Sequence, residues 1–241
     1  MSKIYKDIYK ARTEGKKLLA ILIDPEKFDP DSAPEFFQNL GKTRVTHIFV
    51  GGSTDEQSSI GKVIKEVKSL TLLPVLIFPG DENQIDSKAD GLLFLSLISG
   101  RNPDYLIGKH VNSVSKLRGL NIEVIPTGYI LVDGRNETAV ERVSQTKPID
   151  QNDLELTQNT ARAGELLGMK LIYIEAGSGA KNPVSAEIIT AVKSDISVPL
   201  IVGGGIKSTE LMEAAYKAGA DMVVIGNAFE ENPLFINMLK S

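Results

Sequence analysis

The 241-residue sequence predicts an α/β fold, namely a (β/α)₈ barrel, or TIM barrel. Eight short apolar runs recur along the chain, and amphipathic stretches with the period of a helix lie between most of them. The runs are continuous rather than alternating, which is typical of parallel strands that are covered by helices. Single barrels commonly have this length, so we expect one domain over residues 1–241. A doubly wound open sheet is the structural alternative.

The predicted strands are distributed over the whole chain. They comprise residues 18–23, 47–50, 75–78, 92–97, 123–125, 171–174, 200–202 and 222–225. The predicted helices comprise residues 56–70, 105–117, 154–167, 186–192 and 209–218. Candidate helix caps are Ser53 or Thr54, Asp153 and Ser208, and candidate terminating glycines are Gly119, Gly168 and Gly219.

Two intervals depart from a regular alternation of strand and helix. Residues 79–90 leave room for about one helical turn, so we expect a degenerate third helix. Residues 129–150 form a long polar connection before the fifth helix. A connection of this length at this place is a candidate lid or cleft wall.

Composition excludes several classes of function. The net charge is −4 with acidic and basic residues mixed, so no cationic stripe is available to bind nucleic acid. No cysteine is present, which excludes disulfides, thiolate metal sites and cysteine nucleophiles and fits a reducing compartment. The first residues are charged, and no run approaches the length of a membrane span. We therefore expect a cytoplasmic protein.

The turns after the last two predicted strands indicate a phosphate site. The stretch "PLIVGGGIKSTE" ends a strand in Gly203, Gly204 and Gly205, and the last strand ends in Gly226 and Asn227. In barrels, the loops after the seventh and eighth strands often bind phosphate through backbone amides and a helix N-terminus. The alternative is that these glycines only form tight turns.

The sixth strand runs into "YIEAGSGA", which adds a candidate acid or base. Tyr173 and Glu175 point to the same face of the strand, and Gly177, Ser178 and Gly179 form a further turn rich in backbone amides. A carboxylate at the carboxyl end of a barrel strand is a candidate catalytic base. The alternative is a glutamate in an ion pair inside the barrel.

The first two strands supply candidate metal ligands. Asp24 follows the first strand in "LIDPEK", and Ser53 follows the second in "IFVGGS". Strand ends of a barrel meet at one face, and a carboxylate with a hydroxyl suits Mg²⁺, which keeps water and phosphate oxygens as its other ligands. Asp24 could instead cap a local turn.

Six motifs taken in order resemble the geranylgeranylglyceryl phosphate synthase family, which includes PcrB-like bacterial members. They are "LIDPEK", "IFVGGS", "PTGYI", "YIEAGSG", "LIVGGGI" and "VVIGN". The resemblance implies Mg²⁺-dependent transfer of a prenyl group, geranylgeranyl in the family's name, from an isoprenoid diphosphate to the 3-hydroxyl of sn-glycerol 1-phosphate. The product would be an ether-lipid precursor. The resemblance also implies a homo-oligomer, either a dimer or a larger ring, and a lipid product that brings peripheral contact with a membrane.

The resemblance implies roles for particular residues. Asp24 and Ser53 would bind Mg²⁺ with the diphosphate, and Glu175 would be the base that accepts the hydroxyl proton. Glycerol phosphate would be held by Tyr173, Ile174, Glu175, Ala176, Gly177, Ser178, Gly179, Gly204, Gly205, Gly226 and Asn227. An apolar trough for the prenyl tail would be lined by Phe78, Phe94, Leu97 and Tyr129, of which Tyr129 lies beyond the predicted end of the fifth strand. Barrel core is the alternative role of these four.

One position departs from the family pattern. PcrB-like relatives carry a lysine two residues before the aspartate, and this sequence has Leu22 there. Candidate replacements are Lys27, Arg101 and Lys181, each of which could equally be a solvated surface residue.

Two other functions remain open from the sequence. A phosphosugar isomerase or cyclase would share the glycine turns, but such barrels often have a second carboxylate after the fifth strand, where this chain has Thr127, Gly128 and Tyr129. A phosphoester-binding regulator would retain the amide turns without the chemistry. The presence of both Asp24 and Glu175 argues against it.

Overall fold

Eight parallel strands form a closed barrel in the order of the sequence. The computed structural model describes residues 3–52, 57–226 and 239. The last strand pairs with the first, with Leu18 opposite Met222. The predicted barrel is therefore confirmed, and the alternative prediction of a doubly wound open sheet is wrong. The strands are β1 Leu18–Ile23, β2 His47–Val50, β3 Val75–Ile77, β4 Gly91–Leu97, β5 Glu123–Leu131, β6 Leu171–Glu175, β7 Leu200–Gly203 and β8 Met222–Ile225.

The fifth strand is longer than predicted, and this changes the expected position of one site residue. It continues through the proline and glycine of "IPTGYI" because β4 pairs with it as far as Leu97 opposite Tyr129. Tyr129 was expected beyond the strand, and that expectation is wrong, since the strand ends only at Leu131. Neighbouring strands on both sides form hydrogen bonds with the backbone of β5, and this pairing overrides the weak strand preference of Pro and Gly.

Helices surround the barrel. They are α1 Lys3–Thr13, α2 Ala33–Leu40, α3 Gln57–Leu70, α4 Lys109–Leu117, α5 Ala139–Ser144, α6 Leu154–Leu166, α7 Ala186–Asp195 and α8 Thr209–Ala218. Between β3 and β4 the described chain has only a 3₁₀ turn, Glu82–Gln84, as predicted, and a π-helical turn, Asp104–Gly108, leads into α4. The sequence did not predict α1, α2 or α5.

Several helix ends follow the sequence signals. The side chain of Asp153 accepts a hydrogen bond from the Leu156 amide at 3.0 Å, and Ser208 accepts one from the Leu211 amide at 3.3 Å. Both therefore satisfy an amide of the first helical turn, as N-caps do. The third predicted cap, Ser53 or Thr54, lies outside the described residues. None of the described helices is long and apolar enough to span a bilayer.

The first helix covers the amino-terminal end of the barrel. Glu123, the first residue of β5, accepts hydrogen bonds from the backbone amides of Ile4 and Tyr5 at 2.7 and 2.6 Å. These amides have no partner within the helix, and the carboxylate also favours the positive end of the helix dipole. Ile4 and Ile8 pack into the same apolar cluster as the side chains inside the barrel. The opposite, carboxyl end of the strands is left for the site.

Candidate active site

A polar cavity at the carboxyl ends of the strands brings together most of the predicted site residues. Its described lining includes Asp24, Tyr173, Glu175, Gly177, Ser178, Gly179, Gly204, Gly205 and Gly226. Ile174 and Ala176 do not line it, because their side chains pack in the apolar layer between strands and helices. Ser53 and Asn227 lie outside the described residues.

Glu175 is a buried carboxyl group at the end of β6. Its Oε1 accepts a hydrogen bond from the Gly177 amide at 3.0 Å, and no lysine or arginine in the described chain forms an ion pair with it. Burial raises its pKa from 4.5 to about 7, although the Tyr173 hydroxyl and the Gly177 amide act in the opposite direction. A carboxylate with this pKa can accept a proton near neutral pH.

Two tyrosines lie beside this carboxyl group. The hydroxyl of Tyr173 is buried and forms no hydrogen bond of normal geometry within the described chain. Burial, reinforced by the negative charge of Glu175, raises the pKa of both Tyr129 and Tyr173 well above 10.0. Both phenols therefore stay protonated at neutral pH and can donate a hydrogen bond to a bound polar group.

Glycine turns expose backbone amides to the cavity. Gly177, Gly179, Gly204 and Gly205 all have positive φ, which favours glycine over other residues. At Gly204 the space is also closed, because a Cβ would lie 2.4 Å from Glu175 Oε1 and 2.7 Å from the Gly177 amide. Clustered backbone amides of this kind form a concave site for an anion.

Several further lining residues of this cavity were not predicted from the sequence, and three of them have a clear place in the fold. Thr138, Val140 and Lys207 line it, the first two at the start of α5. Thr138 caps α5 by accepting a hydrogen bond from the Glu141 amide at 3.0 Å. The only sequence signal was a threonine three residues before a glutamate, which is a capping pattern, within the long connection of residues 129–150.

Asp24 faces the same cavity and could hold a cation together with a ligand. Its Oδ1 accepts a hydrogen bond from the Glu26 amide at 3.0 Å, and its Oδ2 lies 3.8 Å from Lys27 Nζ. No cluster of three acidic or histidine side chains suited to a metal exists among the described residues. One carboxylate at an open cavity fits Mg²⁺ held jointly by protein and phosphate, and does not fit a closed all-protein site.

The positive charges of the site differ from those considered in the sequence. Leu22 lines the polar cavity with an apolar side chain. Lys27, Arg101 and Lys181 are not among its described lining residues, whereas Lys207 is. Arg101 instead donates hydrogen bonds to backbone carbonyl groups, the nearest being that of Gly100.

An apolar groove adjoins the polar cavity. Its volume, with the open mouth included, is about 850 Å³, which lies within the usual range of ligand sites. All four predicted trough residues, Phe78, Phe94, Leu97 and Tyr129, line it. Leu97 and Tyr129 also belong to the core inside the barrel, so the two predicted roles coexist.

Aromatic rings lie at the boundary between the apolar groove and the polar cavity. Phe78 and Tyr129 line both the groove and the polar cavity. The ring of Tyr173 lies 5.5 Å from that of Phe78 and 5.4 Å from that of Tyr129, measured between centroids and in edge-to-face geometry. These contacts fix the rings next to Glu175. The buried carboxyl group therefore lies close to the junction between an anion site and an apolar groove.

Polar contacts close one side of the groove. Lys109 at the start of α4 pairs with Asp81 at 2.5 Å and with Glu82 at 3.0 Å. On the other side, the Tyr105 hydroxyl of the π-helical turn donates a hydrogen bond to the Val143 carbonyl of α5 at 3.0 Å. The groove is thus bounded by α4, α5 and the short turns that precede α4.

Known proteins are similar to this chain over nearly its whole length. The model of the PcrB family matches residues 9–241. A geranylgeranylglyceryl phosphate synthase of Zunongwangia profunda is 56% identical over 230 residues, which covers 95% of this chain and 98% of that protein. A protein of the same name from Pyrococcus furiosus is 40% identical over 91% of this chain and 87% of its own length.

Solved structures show the same fold and a ligand. The (S)-3-O-geranylgeranylglyceryl phosphate synthase of Thermoplasma acidophilum, solved with its substrate sn-glycerol 1-phosphate, is 32% identical with a TM-score of 0.92, covering 100% of this chain and 96% of that one. A thiamine phosphate pyrophosphorylase of Pyrococcus furiosus is 14% identical with a TM-score of 0.56, over 93% of this chain and 92% of that one. The second likeness concerns the fold alone.

Proposed function

The chain belongs to the PcrB family, and from this membership we propose that it transfers a prenyl group from an isoprenoid diphosphate to the 3-hydroxyl of sn-glycerol 1-phosphate. It is a prenyltransferase of the geranylgeranylglyceryl phosphate synthase type, and its product is an ether-lipid precursor. One observation carries the proposal most directly. A buried carboxyl group with a pKa of about 7 lies where an amide-lined anion site meets an apolar groove.

Glycerol phosphate occupies the polar cavity in this proposal. Its phosphate group accepts hydrogen bonds from the amides of Ser178 and Gly179 and of the turn at Gly204–Gly205, near the N-terminus of α8, while the Gly177 amide stays bonded to Glu175. Lys207 lines the same cavity and adds a positive charge. This placement leaves the 3-hydroxyl end of the glycerol to point toward Glu175 and the Tyr173 hydroxyl.

Glu175 then accepts the proton of the 3-hydroxyl. The hydroxyl oxygen forms a bond to C1 of the prenyl group, and the bond between C1 and the diphosphate oxygen breaks. The electron pair of that bond leaves with the diphosphate, and the proton stays on Glu175 until solvent removes it. General base catalysis of this kind contributes about 10²–10⁴-fold to a rate.

Mg²⁺ is the cofactor we propose, with Asp24 as the residue that would hold it. When bound, the ion neutralises charge that develops on the leaving diphosphate. Asp24 is on the same cavity as Glu175 and is only partly buried, with 29% of its side chain exposed, so it can contact a ligand that enters from the mouth. Ser53 stays a predicted second ligand.

The apolar groove would hold the prenyl tail. Phe94 and Leu97 of β4 form its wall, and Phe78 and Tyr129 lie where it meets the polar cavity. A tail in the groove would therefore extend from the reaction centre toward α4. We also propose a cytoplasmic location and a homo-oligomeric state, both of which rest on the family resemblance.

The two rival functions fit the site less well. Asp24 and Glu175 are the only carboxylates in the described lining of the polar cavity, and β5 adds none. A phosphosugar isomerase that uses a second carboxylate after β5 is therefore not favoured. A binding protein without catalysis would have no use for a carboxyl group whose pKa is raised to about 7.

Replacement of Glu175 tests this function. Glu175→Gln should keep the fold and lower prenyl transfer by about 10²–10⁴-fold, because the amide cannot accept the proton. The assay incubates the protein with radiolabelled glycerol 1-phosphate, Mg²⁺ and prenyl diphosphates of several lengths, and counts the label extracted into organic solvent. Glu155→Gln, on the exposed first turn of α6, is the matched control and should retain the wild-type rate.

Two results would contradict the proposal. Absence of extractable product from every donor with the wild-type protein would exclude prenyl transfer. A Glu175→Gln rate within twofold of wild type would exclude Glu175 as the base while leaving the overall reaction intact.

A further inference from the structure

The segment that joins β5 to α5, residues 132–138, packs against the turn that follows β6. The Gly134 carbonyl accepts hydrogen bonds from the amides of Lys181 and Asn182 at 3.0 and 3.2 Å. A Cβ at Gly134 would lie 2.2 Å from the Ala176 carbonyl oxygen, so the two backbones approach too closely for any side chain. The turn after β6 is therefore held between its own strand and a second loop.

Thr138, the last residue of this segment, uses the two groups of its side chain differently. Its hydroxyl accepts a hydrogen bond from the Glu141 amide at 3.0 Å and so caps α5. Its methyl group lies against Gly177, since a Cβ there would be 2.2 Å from Thr138 Cγ2. Thr138 is only 3% exposed, so this contact is buried.

Gly177 connects the methyl contact to Glu175. Its φ is +100°, and its amide donates a hydrogen bond to Glu175 Oε1 at 3.0 Å. Such a bond favours the charged form of a carboxyl group. Because glycine has wide conformational freedom, the direction of this N–H depends on the contacts that hold the turn. Thr138 supplies one of these contacts from a different loop.

We propose that Thr138 is a positioning residue for prenyl transfer, because its methyl group holds the Gly177 turn so that the Gly177 amide stays aimed at Glu175 Oε1. The inference rests on the proposed function, which makes Glu175 the base, and deepens it by adding a residue that acts on this base from β5. The hydroxyl of Thr138 then serves the stability of α5, and the methyl group serves the reaction.

The other titratable and charged groups around Glu175 are the same in every variant of Thr138. In the described lining of the cavity they are Tyr173 on β6, Tyr129 on β5, Asp24 after β1 and Lys207 after β7. Both tyrosines keep their protons through the neutral range, because burial and the charge of Glu175 raise their pKa values well above 10.0. A change in the pH profile between variants of Thr138 therefore reports the turn.

Two substitutions separate the methyl group from the hydroxyl. Thr138→Ser removes the methyl and keeps the cap, whereas Thr138→Val keeps the methyl and removes the cap. Each should lower Tm by about 2–4 °C at about pH 5, the first through lost burial and the second through the lost cap. The two variants are therefore matched in stability, and they should differ in their pH profiles.

The rate of a single turnover with saturating substrates and Mg²⁺, measured from about pH 5.5 to about pH 9, gives the pH profile of the base. Thr138→Ser should move its rising limb upward by about 0.5–1 unit, because a weaker amide bond disfavours the carboxylate. At pH 7 its rate should then be about two- to fivefold below wild type, with recovery at high pH. Thr138→Val should keep the limb within about 0.2 unit of wild type.

A second measurement does not depend on catalysis. Thr138→Ser is made in wild type and in Glu175→Gln, and Tm is measured without substrate or metal at about pH 5 and about pH 9. In wild type the serine should cost about 2 °C more at the higher pH, because a folded-state pKa that rises further removes stability as the pH passes through it. In Glu175→Gln its cost should be equal at both pH values, since no carboxyl group is left to ionise.

The outcomes distinguish this inference from the proposed function. A rising limb in wild type that disappears in Glu175→Gln but lies at the same pH in Thr138→Ser overturns the positioning role and leaves the function intact. Equal shifts of the limb in both Thr138 variants also overturn it, because the methyl group is then not the cause. Where Glu175→Gln itself transfers at the wild-type rate, the proposed base is wrong, and equal costs of the serine at both pH values would overturn the contact with Glu175 as well.

Discussion

Burial of Glu175 lowers the stability of the protein near neutral pH and at the same time suits the residue to the proposed role of a base. The carboxyl group has lost its hydration and gains no cation in return within the described chain, so the protein binds its proton more tightly than the unfolded chain does. The wild-type protein therefore loses stability as the pH rises from about 4.5 to about 7, the range between the two pKa values. In the proposed reaction, the same burial would bring this carboxyl group into the pH range in which a base is effective near neutral pH.

The free energy of unfolding should therefore depend on this carboxyl group in a pH-dependent way. Glu175→Gln has no carboxyl to ionise, so we expect it to be more stable than wild type by up to about 3 kcal/mol at pH 8. At pH 4.5 the difference should nearly vanish. Urea denaturation at both pH values measures this. A difference in stability between variant and wild type that is the same at pH 4.5 and pH 8 would show that folding does not raise the pKa of Glu175.

Gly204 should be required for the anion site. Gly204→Ala places a Cβ against Glu175 Oε1 and the Gly177 amide at a residue whose φ is +81°, so the turn must open. We expect the KM for glycerol 1-phosphate to rise at least tenfold. The control is Gly168→Ala, whose φ is +94° but whose Cβ would meet nothing within 4 Å. It should lose some stability and keep the wild-type KM.

At the scale of elements, an ion pair at the amino-terminal side of the barrel ties several segments together. Asp221, just before β8, is buried and accepts hydrogen bonds from Lys193 of α7 at 2.7 Å and from the Leu200 amide of β7 at 2.9 Å. Arg12 of α1 lies 3.7 Å from the same carboxylate. The side chain of this one residue thus joins α1, α7 and β7 to the start of β8.

Loss of one partner of this pair should be costly. Lys193→Met leaves the carboxylate of Asp221 buried with weaker compensation, and we expect a loss of about 3 kcal/mol in the free energy of unfolding. Thermal denaturation measures the effect. The control Lys16→Met removes an exposed pair with Glu14 and should leave Tm unchanged. Equal Tm values for both variants would contradict the assignment.

Most elements of the barrel could be predicted from local sequence, and the exceptions have physical reasons. The strands were predictable because burial on both sides makes them continuously apolar, and α6 and α8 because Asp153 and Ser208 mark their starts. The last six residues of β5 were not predicted, because only pairing with β4 and β6 stabilises Pro126 and Gly128 in a strand. Short helices such as α5 are stabilised mainly by tertiary contacts.

The site was predictable in part for similar reasons. Carboxyl ends of barrel strands converge by topology, so residues directly after strands, such as Asp24, Glu175 and Gly204, could be assigned to one cavity. Thr138 and Lys207 could not, because they lie farther from the strand ends, on a helix start and in a loop. The shape of the groove depends on how α4 and α5 pack, and no local sequence pattern predicts that packing.

At the scale of the molecule, the barrel has one end for stability and the other for chemistry. The first helix seals the amino-terminal end with Ile4 and Ile8, whereas Glu175 and the glycine turns occupy the carboxyl end. The two ends lie at opposite ends of the strands, and a single apolar cluster inside the barrel extends from Ile8 to Tyr129 and Tyr173. We therefore expect a change at the sealed end to alter stability far more than the reaction.

Ile8→Ala tests this separation. Ile8 is fully buried against the barrel interior, so the truncation should cost about 2–5 kcal/mol in the free energy of unfolding. Both KM values at 25 °C should stay within twofold of wild type. Denaturant unfolding and steady-state kinetics on the same preparation give the two numbers. A tenfold rise in either KM would show that the helix also shapes the site.

The wall shared by Phe78 and Tyr129 has a consequence for redesign of the enzyme. Both rings touch the polar cavity and the apolar groove, which we propose to bind the acceptor and the donor. A smaller side chain at either position should therefore change the selectivity for both substrates at once. Attempts to admit longer isoprenoids should begin instead at Leu92 and Phe94, which line the apolar groove and not the polar cavity.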